Sequence, residues 1–342
     1  MPKINRSVEL VTSTIKSLSS MGRQSRLDAK AVLEQVYQHV CITDIRTFDD
    51  LYQLLERQPD LAFLGMKFVI DDSGSQPKKV WLAEHLREAG IAYTGSDSAA
   101  SALEHDKLLS KQRVAEAGLA TAQSLRIPHG HSGNLADVTL PYPLFVKPVD
   151  GGGGSGINDH SLVQNAGQLQ QQLDWLFARS QSDALLETYL PGREFSVGVL
   201  KKRFFAGYHT LPLEIVAPLN QVGERFLSSR VKQADTEQTF AVTDQRLRRD
   251  ITTLALGAFE ALGASDYGRI DIRLDARGIP HFLEANLLPS LLDQYGNLPK
   301  AAHMNIGLSH RDLILRIAEM GLSDGHAPEV SPALTEGRLF SQ

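Results

Sequence analysis

Residues 268–286, GRIDIRLDARGIPHFLEAN, carry the pattern that most restricts the fold. Ile270, Ile272 and Leu274 alternate with Arg269, Asp271 and Arg273, the period of a strand with one apolar face. DARG supplies a turn with a glycine and IPHFLEAN returns, so the segment is predicted to be an antiparallel hairpin. With Leu274 paired to Ile279, Asp271 stands opposite Phe282 and Arg269 opposite Glu284, and Leu283 and Ala285 extend the apolar face. Asp271, Glu284 and Asn286 then gather on the other face beside Arg269. Two carboxylates and an amide oxygen form a hard-oxygen set suited to magnesium. A solvated strand face with salt bridges also fits the hairpin, although Glu284 and Asn286 lie inside the apolar run FLEANLLP.

A second constraint lies upstream in FVKPVDGGGGSGI (145–157), where four glycines follow a short apolar strand and Lys147. Such a run frees backbone N–H groups to point at an anion and removes the side chains that would block a phosphate. It is not a GxxxxGK[ST] loop, and INDHSLVQN follows it instead of the helix start that a dinucleotide fingerprint needs. Phosphate binding and a flexible hairpin loop both fit the run alone. Lys147 adds a cation that an isolated loop would not need, and it also fits an exposed strand end.

The first third alternates strand and helix signals. VELVTST, HVCITDI and PDLAFLGM read as strands; Arg26 to Gln38 and FDDLYQLLERQ read as helices. WLAEHLREAGIAYTG reads as a helix closed by Gly90 and followed by a strand. This alternation implies parallel β-α-β units. Asp71 to Lys79 is a polar loop, Asp106 an N-cap and Gly118 a C′ residue. PLFVKPV, ALLETYL and EFSVGVL carry strand signals around a helix from Ala166 to Ala178. The stretch 208–245 is polar and turn-rich, a long helix runs from Thr243 to Gly263, and the chain beyond Ser323 reads as loose. Boundaries fall near 105 and 187, giving segments 1–105, 106–187 and 188–330 and a tail, 331–342.

Bulk properties exclude several classes. The net charge of −5 and the lack of a basic run argue against nucleic-acid binding. No apolar stretch approaches the roughly 18 residues of a membrane span, and the first 25 residues lack the apolar core of a secretory signal. The single cysteine, Cys41, is expected as a buried strand residue; it excludes an intrachain disulfide framework and fits a reducing cytoplasm. His209, His303 and His310 match no zinc spacing.

An ordered set of blocks resembles the ATP-grasp superfamily and, within it, the D-alanine-D-alanine ligases. They are YTGS (93–96), ASALEHDKLLSK (100–111), AGLATA (117–122), FVKPVDGGGGSGI (145–157), LLETYLPGREFSVGVL (185–200) and GRIDIRLDARGIPHFLEANLLPS (268–290), over about residues 80–320. The resemblance implies three domains, an N-terminal parallel sheet, and ATP held between two antiparallel sheets. It makes Lys107 a phosphate contact and places Lys147 near adenine and the α-phosphate. Gly152, Gly153, Gly154, Ser155 and Gly156 become a flap over the β- and γ-phosphates. Glu187 and Leu190 fall at the adenine hinge and Glu194 at the ribose. Asp271, Glu284 and Asn286 match the magnesium ligands, two ions being expected and manganese an acceptable substitute. Arg269 matches the arginine that stabilises the acyl-phosphate and tetrahedral intermediates, and Arg225 falls where the family has a phosphate-contacting lysine.

The departures cluster at the amino-acid sites. The family's Gly-Gly-x-Ser-x-Glu-like loop, which helps hold the first amino group, corresponds to TSTIKSLSSMGRQS, which has no glutamate. The flap serine becomes Gly153 or Gly154, the tyrosine after the phosphate lysine becomes Phe226, and Ser290 and Tyr295 stand near the second substrate's position. The expectation is therefore a carboxylate–amine ligase with altered substrates, working through an acyl phosphate and making a dipeptide or amino-acid conjugate. Literal D-alanine-D-alanine synthesis is one alternative; a silent nucleotide-binding regulator and a carboxylase-type subunit are others. The family likeness suggests a cytoplasmic homodimer acting on small-molecule carboxylate and amine substrates, with no nucleic-acid or membrane partner.

Overall fold

The computed structural model describes residues 2–74, 77–131, 135, 138–220 and 223–323. Its first third is β1 (Ile4–Thr12), α1 (Arg23–Leu33), β2 (Tyr37–Asp44), α2 (Phe48–Arg57) and β3 (Leu61–Leu64). The strands form a parallel sheet in the order β2-β1-β3, as the alternating signals require. Helix α2 starts at a capping box of Thr47 and Asp50 and buries Leu51 and Leu54. Helix α1 starts three residues earlier than expected and ends at Leu33. It buries the stripe Ser25, Ala29, Val32 and Leu33 and leaves Leu27 exposed, because small residues allow the closer approach to the sheet. Cys41 is exposed, not buried: β2 is an edge strand and only one of its faces is covered.

A hairpin of β4 (Phe68–Asp71) and β5 (Lys78–Trp81) takes only the ends of the expected polar loop, Asp71, Lys78 and Lys79; residues 75 and 76 of that loop lie outside the described residues. Helix α3 (Leu82–Glu88) closes at Gly90, whose φ is +70°. The strand expected after it is reduced to one bridge between Ala62 and Tyr93. Helix α4 (Ser98–His105) ends at Asp106, which caps α5 (Lys107–Glu116) by accepting from the Leu108 and Leu109 amides at 3.0 Å.

Two antiparallel sheets follow. The first is β6 (Ser124–Ile127), β7 (Leu144–Pro148), β8 (Leu162–Val163) and β9 (Ala184–Thr188) in the order β6-β9-β7-β8; between β8 and β9 runs α6 (Ala166–Phe177), which lays Leu169, Leu173 and Leu176 on it. The second is β10 (Glu194–Lys201), β11 (Tyr208–Val216), β12 (Gln238–Ala241), β13 (Tyr267–Leu274) and β14 (Pro280–Asn286), ordered β12-β11-β10-β13-β14. It is backed by α8 (Gln245–Ala261) through Ile251, Leu254, Ala255, Ala258 and Phe259, with the short α7 (Ser229–Ala234) after β11. Strands β11 and β12 occupy the stretch expected as turns. Leu211, Leu213 and Ile215 alternate inward in β11, a signal diluted by the polar residues around it.

Helices α9 (Asn297–Ile306) and α10 (His310–Ser323) return to the N-terminal sheet, so Leu298, Leu313 and Ile317 share a core with Leu10 and Phe63. The residues beyond Ser323, expected to be loose, lie outside the described residues. Among the described residues no helix is long and apolar enough to cross a membrane.

Candidate active site

The hairpin of β13 and β14 forms, but in a different register. Leu274 pairs with Pro280 and Ile272 with Phe282; a bulge then shifts the ladder, so Asp271 faces Glu284 and Arg269 faces Asn286. The bulge accommodates Leu283 as an unpaired residue, turned from the core into a cleft where it lies beside Glu284. Phe282 and Ala285 take the buried positions. One extra residue thus brings the two carboxylates directly opposite each other.

That cleft lies between the two antiparallel sheets. Lys147 and Glu187 enter it from the central sheet, and Glu194, Asp271, Arg273 and Glu284 from the other. Glu187 is buried and bridges two lysines: Oε2 lies 2.8 Å from Lys147 Nζ and Oε1 2.7 Å from Lys111 Nζ. Burial would raise its carboxyl, but Lys111 and Lys147 outweigh that and hold it below the ordinary range. Thr188, at the end of β9, and Leu190, just after it, line the same cleft. Glu194 is raised, chiefly by burial, against the pull of Arg273, whose guanidinium lies 3.2 Å away. Arg273 also donates to Tyr189 Oη and to the Arg225 carbonyl, tying the cleft wall together.

The acid cluster is oriented by hydrogen bonds. Asp271 accepts from Ser196 Oγ at 2.9 Å and from Arg269 Nη2 at 2.9 Å. Burial opposes ionisation of Glu284, yet Lys147, Lys107, Lys232 and Arg269 hold its carboxyl down to about 2. The donor set fits magnesium. Among the described residues no three His, Cys, Asp or Glu close around an ion, so the protein alone offers too few ligands for a full cage. Magnesium takes one or two carboxylates and completes its octahedron with phosphate oxygens and water.

The glycine run passes beside this cleft, with Gly154 against Leu227 and Lys232 of its lining. Lys107 Nζ donates to the carbonyls of Asp150 and Gly151, at 3.1 and 2.6 Å, anchoring the base of the loop. Gly154 has φ +76°, and a Cβ there would lie 3.3 Å from the Leu227 carbonyl oxygen and the Ser229 nitrogen. At Gly156 a Cβ would clash with Pro148 at 2.3 Å. These two glycines let the loop pass against its neighbours. Gly152, Gly153 and Ser155 border an adjoining cavity of about 480 Å³ that also reaches Asn286, Ser290 and the loop at 16–20. A third, smaller cavity is lined by Arg269, Asp271, Asn286, Ser290 and Tyr295.

Not every expected residue joins the cleft. Arg225 is exposed and donates to the Ala217 carbonyl. Phe226 is buried edge-on against Phe145, ring centres 5.3 Å apart, and packs the cleft wall. Tyr295 is part-exposed and its hydroxyl donates to the Lys232 carbonyl at 3.0 Å. Lys232, which the sequence did not single out, borders both the cleft and the third cavity, against Gly154. Lys111 and Arg273 were missed as well. Each lies four residues from a residue already singled out, Lys107 on one helix face and Arg269 on one strand face, and that spacing could have found them. Lys232 sits in a polar stretch with no periodicity to mark it.

The family model described as D-ala D-ala ligase C-terminus matches residues 119–319. A D-alanine--D-alanine ligase of Citrifermentans bemidjiense is 30% identical over 309 residues, covering 88% of this chain and 92% of the relative. One from Leptospira interrogans is 30% identical over 282 residues, covering 79% and 75%. The crystal structure of the D-alanine--D-alanine ligase from Bacillus anthracis superposes with a TM-score of 0.72 at 21% identity, covering 93% of this chain and 98% of that one.

Proposed function

Because this chain belongs to the D-alanine–D-alanine ligase family, ATP-grasp enzymes that form carbon–nitrogen bonds, we propose that it joins two D-alanine molecules at the expense of ATP, with magnesium as cofactor. The altered substrates expected from the replaced amino-acid-site residues find no support in these relatives, which cover most of the chain. The observation that carries the proposal is the convergence of Lys147, Glu187, Glu194, Asp271 and Glu284 on one cleft between two antiparallel sheets, with Lys107 anchoring the glycine loop and Asn286 beside it.

The chemistry follows from charge. A carboxylate must attack the γ-phosphate, and the two anions repel. Asp271, Glu284 and Asn286 would hold magnesium, which supplies charge neutralisation at the triphosphate. Lys147 and Lys232 add fixed cations in the cleft, with Lys107 at the base of the loop. Arg269, part-buried and tied to Asp271, is placed to hold the oxyanion when the amine of the second D-alanine attacks the acyl phosphate. The glycine loop would keep water from that intermediate.

Incubation with ATP, magnesium and D-alanine is expected to release ADP and phosphate and to yield a product lighter than two alanines by one water. ADP release on another amino-acid pool, but not on D-alanine, would restore altered substrates. ATP binding without turnover on any pool would favour a silent regulator. Lys232→Met is expected to lower kcat/KM for ATP about tenfold or more, the weight of a charge-assisted phosphate contact. Arg225→Met should change it less than about threefold, since that guanidinium lies outside the cleft; steady-state kinetics on both variants checks the assignment. The same family membership supports a cytoplasmic homodimer, which sedimentation velocity would test.

A further inference from the structure

An amino acid that offers its carboxylate to the γ-phosphate still carries an ammonium, and that charge needs an acceptor. The N-terminal loop of this chain has no glutamate to provide one. The cavity of about 480 Å³ beside Asn286 and the glycine loop does contain a carboxylate, and among its described lining residues it is the one: Glu104, at the end of α4. Its side chain is 10% exposed and pairs with Lys67 Nζ, itself 20% exposed and on the same cavity wall. Resting on the ligase reading above, we infer that this ion pair is exchanged on binding: the ammonium of the first D-alanine takes the place of Lys67 on Glu104.

The surroundings favour exchange over a purely structural tie. The two residues are held together without their charges. Phe68, next to Lys67, meets the ring of His105, next to Glu104, at 5.3 Å, and Trp81 closes on both rings. The Lys67 carbonyl is pinned by the Leu82 amide at 2.9 Å. His105 offers Glu104 no competing cation, because burial and the neighbouring Lys79 lower its imidazole to about 4 and leave it neutral. Lys67 has a long, flexible stem and part of its length in solvent, so it can swing into water when displaced.

The test isolates the first site by using hydroxylamine in place of the second D-alanine and following phosphate release. Glu104→Gln is expected to raise KM for D-alanine about tenfold or more, leaving kcat within about threefold and KM for ATP unchanged. Lys67→Met is expected to move KM for D-alanine the other way, several-fold down, because the ammonium no longer competes with a resident cation. A structural bridge predicts that the two variants behave alike, with matched losses of melting temperature. Parallel changes of that kind, or a KM for D-alanine within about twofold of wild type in Glu104→Gln, overturn the inference while wild-type turnover keeps the ligase reading. Wild-type protein that releases no phosphate with D-alanine and hydroxylamine overturns both.

Discussion

Glu284→Gln is expected to abolish turnover while leaving the fold intact. Glu284 faces Asp271 across the bulged hairpin, and together they supply the two formal negative charges of the candidate metal set. Removing one halves that charge and takes a carboxylate from beside Lys107, Lys147, Lys232 and Arg269, the cations that hold it ionised. Metal assistance in phosphoryl transfer contributes several kcal/mol, so a fall in kcat of about 10³-fold or more is expected. The carboxylate makes no contact on which the β13–β14 ladder depends, so far-UV circular dichroism should match wild type. ADP release under saturating ATP and magnesium, measured beside the spectrum, checks both halves. Near-normal turnover would remove Glu284 from the metal set.

The second large effect concerns stability. Glu187→Gln is expected to destabilise the protein by about 3–5 kcal/mol, because it leaves the ammonium groups of Lys111 and Lys147 buried with no carboxylate between them. Thermal unfolding should begin about 5 °C or more below wild type. The double variant Lys111→Met with Glu187→Gln should recover part of the loss, since it removes one of the stranded cations. The sign with pH is also determined. The Glu187 carboxyl is held below its ordinary value of 4.5, so its contribution is complete above that pH and is lost as pH falls through the lowered range. Equal melting temperatures for Glu187→Gln and wild type at neutral pH would show that Glu187 is not the counter-ion of this pair of lysines.

How much of this was legible in the sequence depended on whether a residue's role was set by its neighbours along the chain. Asp106 caps the helix that opens at Lys107 by accepting from the Leu108 and Leu109 amides, and the glycine run declares an exposed backbone by composition alone. The family resemblance placed Glu187 at an adenine hinge, but nothing along the chain marked it as the bridge between Lys111 and Lys147, which come from a helix and a neighbouring strand. The hairpin was recognised from its alternation, yet its register was misjudged, because a bulge costs little locally and is selected by what the far face packs against. Phe282 takes the core position and Leu283 the cleft, a choice that α8 and the facing sheet make.

Two further positions show the same division. Arg225 occupies the expected place in the chain but reaches the Ala217 carbonyl, while Lys232, seven residues later, reaches the cleft. Which of two nearby cations enters the cleft depends on the path of α7 against the glycine loop, not on spacing. Cys41 lies on the expected strand but at the edge of its sheet, and edge position is decided by strand order.

By itself, the sequence determined the alternation that yields a parallel sheet, the hairpin that carries Asp271, Glu284 and Asn286, and the bare loop after Lys147, because these follow from short-range periodicity and backbone freedom. The tertiary structure decided which carboxylates face each other, which lysine enters the cleft, and that Glu104 and Lys67 share a cavity wall. Those outcomes depend on how separate sheets and helices compete to bury apolar surface, and that competition couples residues far apart in the chain.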